Sequence, residues 1–116
     1  KAVPKLISID LVATVRKALD LINEHNISQL PVIDKGKSVG SIEENNLMSA
    51  VLEKPAMFDA PVSALMQQPF PKVHIDEQIN AAISLLSKKL HAVLVEEDGK
   101  IVGILTSYDV IEYMSR

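Results

Sequence analysis

The sequence carries one residue pattern twice, and this internal repeat constrains the fold more than any single motif does. The first copy covers residues 14–48 and the second covers residues 78–111. In each copy the opening apolar residues follow the i, i+3, i+4, i+7 spacing of a helix with one buried stripe. These positions are Val15, Ala18, Leu19 and Ile22 in the first copy, and Ile79, Ala82, Ile83 and Leu86 in the second. The repeat therefore predicts two small units of the same architecture.

Each copy continues with two short apolar segments joined by a turn, and ends in a second amphipathic segment. Brief apolar runs bounded by polar residues are typical of buried strands, which predicts strands at Leu30–Ile33 and Ala92–Val95. The turn residues Asp34–Gly36 and Asp98–Gly99 then predict hairpins. The second strand of each hairpin is predicted at Ser38–Ile42 and at Ile101–Leu105. The apolar positions of the closing helices are Leu47, Met48, Val51 and Leu52 in the first copy, and Val110, Ile111 and Met114 in the second.

The segment between the copies is predicted to be a linker, because its prolines argue against long regular structure. Pro61 suits the start of a short helix, which we expect at Val62–Gln67. Apolar runs at Leu6–Ile9 and Val73–Ile75 predict a further strand ahead of each copy's first helix. The predicted organisation is a first repeat, a linker and a second repeat at residues 1–52, 53–71 and 72–116.

Composition excludes several classes of function. The chain of 116 residues has no cysteine, which excludes disulfides, thiolate catalysis and cysteine-ligated metals. Its formal net charge of −3 makes nucleic acid and anionic membranes unexpected partners. No apolar stretch approaches the roughly 18 residues that span a bilayer. No catalytic or metal-ligating pattern stands out, so we expect a non-catalytic protein. The chain starts at Lys1 rather than Met, which suggests a piece of a longer protein, and with no signal peptide visible we expect a cytoplasmic location.

Two motifs connect the doubled β-α-β-β-α pattern to a known family. LPV at residues 30–32 opens a strand, and GILTSYD at residues 103–109 lies where strand meets helix in the second copy. The chain resembles a tandem pair of CBS domains, also called a Bateman module. The phrases ISQLPVIDKGKSVGSI, DAPVSALM and PFPKV are similar to the C-terminal regulatory region of bacterial cystathionine β-synthase-like enzymes. The resemblance implies an α/β (α+β) fold, with two repeats packed through their sheets in pseudo-twofold symmetry.

The resemblance also implies a regulatory ligand rather than a catalytic cofactor. The family binds adenosyl ligands, S-adenosylmethionine or AMP/ATP, through a Gly-h-h-Thr-x-x-Asp signature in which h is hydrophobic. Carried over, Asp109 would accept hydrogen bonds from the ribose hydroxyls and Thr106 would hold the sugar. The same two residues at a helix start are also typical of a capping box, and both roles can coexist.

A loop and an apolar wall complete the implied ligand site. Its residues are Ile27, Ser28, Gln29, Leu30, Val102 and Ile104. Ile27 and Leu30 have a plain alternative as core residues, and the two wall residues are expected in the core in either case. The loop carries no cation that would compensate a phosphate, which favours S-adenosylmethionine over AMP or ATP.

The first copy departs from the signature at both of its polar positions. Glu43 stands where the Thr would be, and its charge would repel a phosphate. Asn46 stands where the Asp would be, and offers one acceptor oxygen instead of two. We therefore predict one competent site in the chain rather than two.

The function predicted from the resemblance is allosteric regulation of an attached upstream enzyme. A pyridoxal-phosphate-dependent, cystathionine β-synthase-like protein is the enzyme that the short phrases suggest. Homodimers are expected through the apolar faces of the closing helices, near Leu47–Leu52 and Val110–Met114. The alternative is a dimerisation scaffold that has lost its ligand site. The first copy supports this alternative, because it lacks the Thr and Asp of the signature.

Overall fold

The structure, a computed structural model, describes residues 6–74, 76, 84, 86 and 92–115. The chain divides into two compact units, one formed by Ile7–Pro69 and the other containing the described residues from Phe70 onward. Each unit has its own three-stranded sheet. The predicted mixture of helices and two small sheets is therefore confirmed.

The first unit is built from three strands and two helices. Their order along the chain is β1 (Ile9–Asp10), α1 (Val15–His25), β2 (Gln29–Asp34), β3 (Lys37–Glu43) and α2 (Glu44–Glu53). Strand β2 lies in the centre of the sheet, parallel to β1 and antiparallel to β3. The helices and the sheet bury one apolar core, formed by Ile9, Val15, Ala18, Ile22, Leu30, Val32, Ile42, Leu47, Val51 and Val62.

Helix α1 confirms the prediction from periodicity, and both of its ends are capped. The Thr14 hydroxyl accepts a hydrogen bond from the Lys17 backbone N–H at 3.1 Å, which satisfies one of the unpaired donors of the first turn. At the other end Asn26 adopts a left-handed conformation with φ 54°, and its N–H bonds back to the last turn. The apolar stripe faces the core, where Val15, Ala18 and Ile22 are buried.

The two hairpins have the same turn. Lys35 and Gly36 both have positive φ, at 51° and 79°, and Asp98 and Gly99 repeat this at 52° and 79°. Two central residues with positive φ define the type I′ turn, whose twist matches that of the flanking strands. Both predicted hairpins are therefore confirmed, and each is closed by two residues.

The second unit repeats the architecture in its described part. Its elements are β4 (Lys72–His74), β5 (Ala92–Glu97), β6 (Lys100–Thr106) and α3 (Ser107–Met114). Strand β5 is central, parallel to β4 and antiparallel to β6. Ser84 and Leu86 are helical, and the other positions of the helix predicted from Ile79 to Leu86 lie outside the described residues, as does Ile75.

Two local predictions are wrong. The first strand covers Ile9–Asp10 instead of Leu6–Ile9, because the parallel pairing with β2 begins only where Ile9 meets Val32. The predicted helix Val62–Gln67 is a single 3-10 turn at Val62–Ala64, and a second 3-10 helix, Pro55–Asp59, precedes it. Tertiary hydrogen bonds account for the difference, since this segment bonds to the first unit instead of continuing a helix.

Those hydrogen bonds attach the connecting segment at two places. The Val15 N–H donates to the Ala60 carbonyl at 2.9 Å, and the Val62 N–H donates to the Ala13 carbonyl at 2.8 Å. Further along, Gln67 forms an isolated antiparallel bridge with Ser41 on the edge of β3. The connection up to Pro69 is therefore part of the first unit.

Candidate functional site

The second unit brings Thr106 and Asp109 together at the junction between β6 and α3. The Thr106 backbone N–H donates to Asp109 Oδ2 at 2.8 Å, and the Thr106 hydroxyl donates to the same oxygen at 2.9 Å. In return the Asp109 backbone N–H lies 3.3 Å from Thr106 Oγ1. The alternative prediction of a capping box is therefore confirmed.

This cap also fixes the carboxylate for other contacts. Both bonds that Asp109 accepts among the described residues go to Oδ2, and Asp109 and Thr106 are only partly buried. The negative charge is placed in the first turn of α3, where the helix dipole favours it. A carboxylate held by one oxygen keeps the other as an acceptor for a hydroxyl group.

The two wall residues of β6 differ in their surroundings. Ile104 packs against the buried cluster of Phe70, Ala92 and Leu94, as predicted for a core residue. The prediction that Val102 belongs to the core is wrong, since it is 37% exposed. A bulge explains this: Gly103 pairs with Val95 and Ile101 pairs with Glu96, so Val102 is the extra residue without a partner across the ladder.

The loop of the first unit is held by its own backbone. The Ile27 N–H donates to the Ile22 carbonyl at 3.1 Å, and Ile27 packs on the core. The Ser28 carbonyl accepts from the Glu44 N–H at 2.9 Å, which ties the loop to the start of α2, and the Ser28 hydroxyl donates to Gln29 Oε1 at 2.9 Å. Leu30 is 0% exposed, so its role as a core residue is confirmed.

The junction of the first unit, between β3 and α2, has the same position in the repeat and different contacts. Glu43 is the N-cap of α2, but its side chain makes no cap hydrogen bond. The Asn46 amide Nδ2 donates to Gln67 Oε1 at 2.9 Å instead of returning to the helix start. No local pattern in the sequence indicates this contact, although Ser41 is a polar residue where the second copy has Ile104.

Charged groups elsewhere do not form a second centre in the described part of the chain. There, no cluster of three or more His, Asp or Glu side chains could hold a metal ion. His25 lies 3.7 Å from Glu24 and His74 lies 3.6 Å from Asp76, both near the surface. None of the described helices is both long and apolar enough to cross a membrane.

Comparison with known proteins places the repeat in a family. The profile of the CBS domain matches the chain twice, over residues 2–53 and 62–116. A crystal structure of a CBS domain superposes with a TM-score of 0.85 and 20% identity, covering 97% of this chain and 90% of that one. A CBS-pair protein of Arabidopsis thaliana gives a TM-score of 0.82 with 24% identity, covering 97% and 90% of the two chains.

Several sequence relatives are longer proteins. An uncharacterised protein of Methanocaldococcus jannaschii is 32% identical over 88% of this chain and 34% of its own length. Cystathionine beta-synthase of Dictyostelium discoideum is 29% identical over 97% of this chain and 24% of its own. An A-adding tRNA nucleotidyltransferase of Aquifex aeolicus is 31% identical over 85% and 12%. The chain spans about a third or less of each of these relatives.

Proposed function

The chain belongs to the CBS domain family as a tandem pair, and from that premise we propose that it is a non-catalytic regulatory module that binds an adenosyl ligand. The observation that carries the proposal is the junction in which Thr106 holds Asp109 by one carboxylate oxygen. The other oxygen of Asp109 accepts a hydrogen bond from a ribose hydroxyl, and Thr106 lies next to the sugar.

The remaining ligand contacts are proposed residue by residue. Ile27, Ser28 and Gln29 are partly or fully exposed and can offer side-chain contacts. Leu30 contributes only through its backbone, because its side chain is fully buried in the first core. On β6, Val102 offers an exposed apolar surface at the bulge, whereas Ile104 supports the strand from the core.

S-adenosylmethionine is the proposed ligand in preference to AMP or ATP. A buried phosphate requires a cation close to it, and residues 27–30 contain none. The bonds described for Asp109 come from Thr106 rather than from a lysine or arginine. A sulfonium ligand brings its own positive charge and therefore suits a site with acidic residues such as Asp109.

Titration calorimetry with S-adenosylmethionine, AMP and ATP tests the ligand and the site together. Asp109→Asn keeps an acceptor for the Thr106 N–H but removes the charge, and Asp20→Ala is a matched control on an exposed face of α1. We expect Asp109→Asn to weaken binding by about 1.5–3 kcal/mol, the size of a hydrogen bond to a charged group, and Asp20→Ala to bind as wild type. Unchanged affinity in Asp109→Asn would contradict the proposed site, and binding of AMP without binding of S-adenosylmethionine would contradict the proposed ligand.

Exposed apolar residues support a second proposal, a homodimer formed through the closing helices. Met48 on α2 and Ile111 on α3 occupy equivalent positions of the repeat and are 45% and 63% exposed. Leu52 and Tyr108 extend these faces. A second copy would cover such surfaces, which are costly in water. Sedimentation equilibrium of wild type and of Met48→Glu/Ile111→Glu tests this: we expect a dimer that the double variant converts to monomer, and a monomeric wild type would refute it.

The longer relatives support a further part of the proposal, control of an attached enzyme. The cystathionine beta-synthase of Dictyostelium discoideum matches almost this whole chain within a quarter of its length. We propose a pyridoxal-phosphate-dependent enzyme of that kind as the protein that this module regulates. Expression of the parent protein with and without Asp109→Asn would test it, since only the wild type should change activity when the ligand is added.

A further inference from the structure

A short segment of the connection, residues 66–68, lies along the edge strand of the first sheet. The Ser41 N–H donates to the Gln67 carbonyl at 3.0 Å, and the Gln67 N–H donates to the Ser41 carbonyl at 2.8 Å. The Ser41 hydroxyl donates to the Gln68 carbonyl at 2.6 Å, which accounts for a serine that is only 5% exposed. We call residues 66–68 the edge segment.

Gly40 provides the space for the edge segment. A Cβ atom on Gly40 would lie 2.7 Å from Met66 Sδ and 3.0 Å from the Gln67 carbonyl oxygen. Both distances are shorter than van der Waals contact, and the second involves backbone that cannot rotate away. In the first repeat the signature glycine therefore serves the approach of the chain's own backbone.

The edge segment also reaches the polar position of the junction. Asn46 corresponds to Asp109 in the repeat, and its Nδ2 donates to Gln67 Oε1 at 2.9 Å. Asp109, in contrast, is bonded by Thr106 within its own junction. Equivalent positions thus bind a distant segment in one repeat and the helix start in the other.

We propose that the junction of the first repeat is a docking site for the edge segment, and that Gln67 occupies the Asn46 Nδ2 donor, from which a ligand hydroxyl oxygen would otherwise accept a hydrogen bond. Three residues of the first repeat support this by their contacts with the edge segment: Gly40, Ser41 and Asn46. The module consequently binds one ligand per chain. Only this consequence for the ligand rests on the proposed function; the docking itself does not.

The experiment compares Gln67→Ala with Gln68→Ala, a neighbouring exposed glutamine that contributes only its backbone carbonyl. The readout is the side-chain amide signal of Asn46 in nuclear magnetic resonance spectra, assigned by its loss in Asn46→Asp. In the ligand-free protein we expect Gln67→Ala to shift this signal and Gln68→Ala to leave it in place. An Asn46 signal that Gln67→Ala leaves unchanged would overturn the docking contact.

Titration of the wild type with S-adenosylmethionine and with AMP tests the consequence. We expect one equivalent per chain, with shifts at Thr106 and Asp109 and none at the Asn46 side chain. Two equivalents accompanied by a shift of the Asn46 signal would overturn the proposal that Gln67 holds this position. If neither compound binds, the proposed function is wrong. The ligand-free spectra of Gln67→Ala and Gln68→Ala still test whether Gln67 contacts Asn46.

Discussion

The junctions of the two repeats share a backbone plan and differ in what their polar residues bind. In each, a hairpin with a type I′ turn leads directly into a helix. Asp109 is locked to Thr106 by reciprocal hydrogen bonds, whereas Asn46 bonds to Gln67, 21 positions along the chain. A repeated fold therefore does not imply a repeated site, because Asp109 is bonded within its own junction while Asn46 bonds to the connecting segment.

The largest expected loss of stability distinguishes two residues of the proposed ligand site, Leu30 and Val102. Leu30→Ala should destabilise the protein by about 2–5 kcal/mol, because the side chain is fully buried in the core of the first unit. Val102→Ala should cost about 0.5 kcal/mol, because this bulge residue is 37% exposed. Urea denaturation of both variants measures the difference, and equal costs would contradict the placement of Val102 outside the core.

The next effect tests whether the edge segment needs the glycine beneath it. Gly40→Ala should lower the free energy of unfolding by about 1–3 kcal/mol, since the added methyl group overlaps Met66 and the Gln67 carbonyl. Gly40→Ala/Met66→Ala should recover part of this loss, because the Met66 side chain gives the shortest of the contacts. Thermal melts of the single and double variants provide the measurement, and a neutral Gly40→Ala would show that the segment can move away.

The capping box of the second junction should give a smaller effect. Thr106→Ala removes the hydroxyl that accepts from Asp109 and donates to it, and should cost about 1–2 kcal/mol. Ser107→Ala, one position along on an exposed site, is the matched control and should be close to neutral. The free energies come from urea titration; a neutral Thr106→Ala would mean that the junction keeps its geometry without the cap.

The smallest effects are expected at exposed ion pairs, one in each unit. Arg16 bonds to Asp59 at 3.2 Å and lies 4.9 Å above the Phe58 ring, and in the second unit Lys72 bonds to Glu96 at 3.3 Å. Removing either cation should cost no more than about 1 kcal/mol, because both pairs are solvent-screened. Denaturation at low and at high salt should show the cost of Lys72→Ala shrinking more than that of Arg16→Ala, since the ring contact is less dependent on salt.

Local patterns predicted the parts of the fold that local forces determine. The stripe of Val15, Ala18 and Ile22 placed α1, and two turn sequences placed both hairpins. Val102 was placed wrongly, because strict alternation along a strand cannot show where a bulge inserts an extra residue. The prediction of a helix at Val62–Gln67 is wrong for another reason. The backbone of Gln67 bonds to Ser41 on β3, and no local pattern in the sequence connects these two residues.

Only part of the candidate site could be predicted from the sequence, for the same reasons. The Thr106–Asp109 pair lies within one turn of helix, so its spacing alone indicated the capping box that the structure contains. Asn46 was recognised as a departure from the signature, but its bond to Gln67 depends on the path of the connecting segment. Non-local contacts of this kind require the three-dimensional structure.

The two hairpins share a bulge as well as a turn. One sheet skips Val39 between its paired positions and the other skips Val102, at the same place in the repeat. Val39 packs against a core while Val102 is 37% exposed, so the same irregularity occurs in two different surroundings. The bulge is therefore a property of the hairpin backbone that both repeats share, and each repeat places a different environment around it.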